Sequence, residues 1–197
     1  MAILTEVFST PIYETELTLD LDKILELVYK EKSQRVLSNM GGRQTEDLDR
    51  STYAFLIDEI MLHAGDYFKL FNYNAELVFW NLWANINKYK DHNTLHHHLD
   101  SGGDLNFISG VVYIKTPKNC GTLGIEHPLD YIDLVINQDF VKHPNKYISH
   151  QIHLEPKENL LVLFPAYLKH FVAPSQNKLQ DRISLSFNIG VKHKEKL

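Results

Sequence analysis

One residue separates His98 from Asp100 in the run His92-Asn93-Thr94-Leu95-His96-His97-His98-Leu99-Asp100. On an extended chain, residues two apart point to the same side, so an imidazole nitrogen and a carboxylate oxygen can meet at one ion. A third ligand must come from elsewhere, and His170 is the best placed. It closes Phe164-Pro165-Ala166-Tyr167-Leu168-Lys169-His170, where a strand ends, a proline-containing turn follows and the chain re-enters a strand. Two histidines and one carboxylate on one face leave coordination positions open, as in non-haem iron(II) centres that must admit a co-substrate and dioxygen. Further on, Arg182-Ile183-Ser184 alternates along a late strand, so a guanidinium and a hydroxyl can face one interior. A planar fork beside a hydroxyl suits the terminal carboxylate of a short dicarboxylic acid.

The chain has eleven histidines, so most must have plainer roles. For His92, His96 and His97 a solvated loop is the ordinary reading, and a lone His-x-Asp is a weak signal without its downstream partners. His96-x-His98 nevertheless forms a rival pair in which His96 replaces Asp100. His150 and His153 are weaker rivals. The plain alternative for Arg182 is a surface pair with Asp181, which would matter little energetically. Asn85, Asn87 and Tyr89 alternate along one strand candidate, and Asn85 and Tyr113 are expected to line the co-substrate site beside Arg182 and Ser184. Core packing is their alternative role.

These residues need a scaffold. Leu21, Ile24, Leu25 and Val28 recur at helical spacing between Leu19 and Lys32, behind an Asp20 or Thr18 cap. A second helix is predicted from Thr52 to about Phe71, and a glycine-containing loop over Asn39 to Asp49. Residues 1–75 therefore read as a largely helical support. Beyond Ala75, short runs rich in β-branched and aromatic residues alternate with turn residues. The strand candidates are Leu77 to Tyr89, Phe107 to Lys115, Thr122 to Glu126, Tyr131 to Ile136, Tyr147 to Leu154, Leu160 to Phe164, His170 to Val172 and Arg182 to Val191. Eight such strands suggest a jelly roll or barrel in a single domain, mainly β with flanking helices. The stretch from His127 to His153 suits a lid or substrate loop.

Composition narrows the partners. A net charge of -5 gives no electrostatic reason to expect nucleic acid. One cysteine, Cys120, forbids an internal disulfide and a cysteine-rich metal site. No apolar stretch approaches the roughly 18 to 20 residues of a membrane span, and the start of the chain lacks the order of a signal peptide. A cytoplasmic protein is expected, with a homodimer as the default assembly.

The order His-x-Asp, distant His and Arg-x-Ser resembles the 2-oxoglutarate/iron(II) oxygenase superfamily. Ser109-Gly110-Val111-Val112-Tyr113-Ile114, the stretch from Phe164 to His170, and Arg182-Ile183-Ser184-Leu185-Ser186-Phe187-Asn188 look like small bacterial and phage oxygenases akin to prolyl hydroxylases. The glycine-rich turn Asp100-Ser101-Gly102-Gly103-Asp104 is also similar to the prolyl hydroxylase pattern. The resemblance implies a double-stranded β-helix over residues 76–191 and a metal held by His98, Asp100 and His170. It also implies iron(II), 2-oxoglutarate and O2 as reaction partners, with ascorbate as an auxiliary reductant. The expected activity is that of a dioxygenase, most simply a hydroxylase acting on a peptidyl side chain such as proline or on a small metabolite. The competing expectations are a non-oxidative cupin-like protein with a metal on His96, His98 and His170, and a β-sandwich binding module without metal.

Overall fold

The computed structural model describes residues 3, 5, 7–32, 34–99, 105–129, 138–143, 145 and 147–193. In chain order the elements are β1 (Tyr13–Glu16), α1 (Leu21–Lys30), β2 (Asn39–Met40), β3 (Arg43–Gln44), α2 (Ala54–Lys69) and β4 (Ala75–Asn87). There follow β5 (His92–His96), β6 (Asn106–Lys115), β7 (Leu123–Glu126), β8 (Gln151–Leu154), β9 (Leu160–Pro165), β10 (His170–Val172) and β11 (Arg182–His193). Two antiparallel sheets result, one in the order β1-β9-β6-β11-β4-β3 and the other in the order β2-β5-β10-β7-β8. This is the architecture expected of a double-stranded β-helix.

The two helices form where periodicity places them. Asp20 caps α1, its carboxylate accepting from the Lys23 amide at 3.1 Å, and Ile24 and Val28 are buried. They join Leu56, Ile60 and Ala64 of α2 and Ile183, Leu185, Phe187 and Ile189 of β11 in the main core. The apolar parity of β11 thus faces the helices. The opposite parity, Arg182, Ser184, Ser186 and Asn188, turns toward the interior between the sheets, and Arg182, Ser184 and Asn188 are buried there. A hydrophilic interior, rather than an exposed polar face, explains the polar row of this strand.

Three features of the first 75 residues differ from a helical support. β1 pairs with β9, β2 with β5, and β3 with β4, so both sheets recruit this region. β1 reads Tyr-Glu-Thr-Glu with every second residue exposed, which is an edge strand too polar to stand out by composition. β2 and β3 each have two residues and are defined by their partners rather than their own sequence. The strand expected at Tyr131 to Ile136 lies outside the described residues.

Gly110 on β6 is packed tightly between its neighbours in the sheet, β11 and β9. A Cβ there would stand 2.3 Å from Phe187 Cζ and 2.9 Å from the Val162 carbonyl oxygen. Gly110→Ala is expected to destabilise the fold by about 1–3 kcal/mol, the usual range for overpacking a dense core. Chemical unfolding measures it, and a midpoint equal to wild type would show that the Phe187 ring and the β9 backbone can give way there.

Candidate functional site

His96 ends β5 and stands opposite His170 across the β5–β10 pair, so the two side chains share one face. His98 follows two residues later, its amide donating to the Ala166 carbonyl at 3.1 Å. The three rings form a compact triangle, with centroids 4.3 Å apart for His96 and His170, 5.0 Å for His96 and His98, and 4.9 Å for His98 and His170. One ligand atom from each lies within 4.8 Å of the other two, the spacing of donors around a single ion.

Hydrogen bonding fixes the state of each ring. Nδ1 of His96 is 2.6 Å from the Thr94 carbonyl, Nδ1 of His170 is 2.9 Å from the Leu168 carbonyl, and Nδ1 of His98 is 2.6 Å from Asn188 Oδ1. Those oxygens only accept, so each Nδ1 carries the proton and each Nε2 carries the lone pair that a metal requires. Burial opposes protonation. It lowers His96 below its ordinary value, brings His98 down to about 4 and takes His170 well below the imidazole range, with the neighbouring rings adding to the effect on each. Three neutral imidazoles directed at one point are a transition-metal donor set.

Asp100 lies outside the described residues, and its expected place beside His98 is therefore not part of this geometry. His96, for which a solvated loop is the ordinary reading and the pair with His98 the rival one, is a member of the triangle. His97 is exposed beside it. His153 is bonded to Thr122 at 2.9 Å and is outside the triangle.

Beyond the triangle is the polar cavity to which β4, β6 and β11 contribute by register. Ser184 pairs with Asn85 on one side and Tyr113 on the other, and Arg182 pairs with Asn87. Arg182, Ser184, Asn85 and Tyr113 all line this cavity together with His96, His98 and His170. Arg182 is only 1% exposed, yet no acidic side chain among the described residues forms an ion pair with it. Its Nη1 reaches Asn87 Oδ1 at 3.5 Å, the outer limit of a hydrogen bond, and its guanidinium lies 5.2 Å from the Tyr113 ring. Arg182 Nε and Asn85 Oδ1 are buried without hydrogen-bond partners, and the buried Tyr113 hydroxyl has no neighbour beyond the Arg182 guanidinium to satisfy it. Burial also raises the Tyr113 phenol, keeping it a proton donor. A buried cation with no acidic partner among the described residues, set beside a phenol and a hydroxyl, suits a carboxylate. The donor set thus fits both a divalent metal and a small dicarboxylate.

Tyr89, the third member of the Asn85, Asn87 and Tyr89 alternation, is turned outward, with Lys90 and Lys178 over its ring. A second, larger cavity of about 580 Å³ shares His96 and His98 with the first and is lined by Arg35, Gln44, Asn81, Trp83, Thr94 and Asn188 among others. Gln44 Oε1 and Asn81 Oδ1 are buried there without partners. Sequence reasoning missed this wall, because Arg35 and Gln44 arrive through pairing contacts that no motif announces. Among the described residues no helix is long and apolar enough to cross a membrane.

Comparison with known proteins bears on the family and the fold. Residues 81–188, more than half of the chain, match the family model "Putative 2OG-Fe(II) oxygenase". No curated protein matches by sequence. Among solved structures, a Pseudomonas putida prolyl-4-hydroxylase is similar, with 16% identity, a TM-score of 0.59 and 94% of each chain covered. A viral collagen prolyl hydroxylase from Paramecium Bursaria Chlorella virus-1, solved as a 2OG complex, has 14% identity and a TM-score of 0.59, covering 91% of this chain and 95% of that one. HygX from Streptomyces hygroscopicus, solved with nickel, 2-oxoglutarate and hygromycin B, has 11% identity and a TM-score of 0.63, covering 92% and 83%. At such identities the likeness is one of fold.

Proposed function

The chain belongs to the 2OG-Fe(II) oxygenase family, and from that premise we propose that it hydroxylates a polar substrate held in the larger cavity. The observation that carries this reading is the juxtaposition of three metal-ready imidazoles with the buried, unpaired guanidinium of Arg182 along one polar interior.

His98 and His170 hold iron(II) in this reading. His96 completes the face, supported by its place in the triangle. The His-x-Asp spacing supports a second version, in which Asp100 takes the position of His96. Arg182, Ser184 and the Tyr113 hydroxyl bind the distal carboxylate of 2-oxoglutarate, with Asn85 beside them. The bound metal, 2-oxoglutarate and O2 supply an oxidation coupled to decarboxylation of the co-substrate to succinate, and ascorbate keeps the metal reduced. The protein orients the reactants and excludes water around them. Arg35, Gln44, Asn81, Thr94 and His97 line the larger cavity, and these polar residues favour a substrate that carries hydrogen-bonding groups. A peptide, including a prolyl peptide with its amide donors, meets that description, and so does a polar metabolite.

The three-histidine triangle also suits a non-oxidative cupin-like metal protein, which would have no use for an unpaired Arg182. Turnover separates the two. Protein loaded with iron(II) should convert 2-oxoglutarate to succinate slowly in air without added substrate, in an ascorbate-sustained reaction. Tight metal binding with no succinate above a metal-free control would favour the cupin-like alternative.

A further inference from the structure

The three rings of the triangle are not held alike. His96 and His170 donate from Nδ1 to the carbonyl two residues earlier in their own chain, Thr94 and Leu168 respectively. Those anchors are local and come with the backbone. His98 lies past the end of β5, and its Nδ1 is met by side chains from two other strands. Asn188 Oδ1 on β11 is 2.6 Å away and Ser109 Oγ on β6 is 3.0 Å away. The Ser109 hydroxyl donates in turn to Asn188 Oδ1 at 3.1 Å.

This arrangement is built into the sheet. Asn188 and Ser109 are register partners across β11 and β6, and both are buried, at 6% and 1% exposure. Immediately after Asn188 the register of β11 slips against β4, and one residue later against β6. Bulges of this kind re-aim side chains beside functional sites. Asn106 adds a hydrogen bond from Nδ2 to the His98 carbonyl at 3.0 Å, fixing the backbone beneath the ring.

We propose that Asn188, steadied by Ser109, is the positioning residue of the metal centre: its carboxamide oxygen holds the His98 ring in the Nδ1–H tautomer and aims its Nε2 at the metal. The inference rests on His98 being a ligand. Outer partners that orient a metal-bound histidine typically contribute about 10- to 100-fold to metal affinity. Asn188 is therefore worth as much to the metal as many residues that would touch substrate, although it touches neither metal nor 2-oxoglutarate in this role.

Cobalt(II) binding, with Co(II) alone as probe, tests the assignment on the full chain. Asn188→Leu keeps the volume and removes the acceptor, and it should lower Co(II) affinity by about 10- to 100-fold while the metal-free protein melts as wild type does. Asn188→Asp, which can accept the same N–H, should restore affinity, and Ser109→Ala should produce a smaller loss. In the Co(II) protein, the paramagnetically shifted exchangeable imidazole N–H signals should include one that moves or vanishes in Asn188→Leu only. Should that variant not fold, Asn188→Ser, too short to reach the ring, carries the same comparison. Wild-type affinity and an unchanged N–H pattern in these variants would overturn the inference, as would failure of Asn188→Asp to recover affinity. Failure of the wild type to bind Co(II), or undiminished binding by His98→Ala, would instead remove the ligand assignment and the inference with it.

Discussion

Replacing Arg182 with Met should leave the ligand-free protein at least as stable as wild type while weakening 2-oxoglutarate binding by about 100-fold or more. The two halves of this expectation have one cause. A guanidinium that is 1% exposed and has no acidic partner among the described residues is a desolvated charge, and a methionine of similar reach relieves that penalty. With the co-substrate present the balance reverses. A forked pair of charge-assisted hydrogen bonds to a carboxylate contributes about 3 kcal/mol or more, which corresponds to about 100-fold in affinity. Arg182→Lys keeps the charge and loses the fork, so it should fall between the two. Calorimetry with 2-oxoglutarate and thermal melts of the ligand-free variants check both halves. A strongly destabilised Arg182→Met would mean that the guanidinium is a structural strut. Unchanged 2-oxoglutarate affinity would place the dicarboxylate elsewhere.

Removal of His98 or His170 should have a comparably large effect on the metal. Loss of an outer partner already costs about 10- to 100-fold in affinity, so loss of a ligand should exceed that range. His98→Ala and His170→Ala are therefore expected to bind iron(II) more than about 100-fold more weakly. The third position is decided by comparing His96→Ala with Asp100→Ala. In the three-histidine version the first variant loses the metal and the second keeps it; in the His-x-Asp version the order is reversed. Dialysis against metal buffers followed by metal analysis gives the answer. Equal retention of metal by His98→Ala and wild type would remove the whole assignment.

Much of this scaffold could be read from side-chain periodicity. The alternation Ile183, Leu185, Phe187, Ile189 separates an apolar face of β11 from a polar one, but an exposed polar face and a hydrophilic interior look alike in sequence, and it is the burial of Arg182 and Ser184 that places them inside. Asn85 and Tyr113 reach the same cavity because they are the register partners of Ser184. Pairing register is a long-range property, and this is where sequence reasoning stopped. His96 reads either as a loop histidine or as a rival to Asp100, because nothing in a run of histidines tells which one faces a strand not yet positioned. Its partner across the ladder is His170, 74 positions away in sequence numbering. Asn188 and Ser109 were visible only as parts of motifs, since their role depends on a ring delivered by a third strand. The edge strand β1 escaped because alternating glutamates, a defence against edge pairing, also look like a loop.

The most direct test of the central claim is the visible spectrum of the protein mixed anaerobically with iron(II) and 2-oxoglutarate. A weak metal-to-ligand charge-transfer band should appear, disappear in His98→Ala and His170→Ala, and require far more 2-oxoglutarate in Arg182→Met. Iron binding without any band, even at high 2-oxoglutarate, would contradict the account and leave a metal protein whose buried arginine serves some other anion.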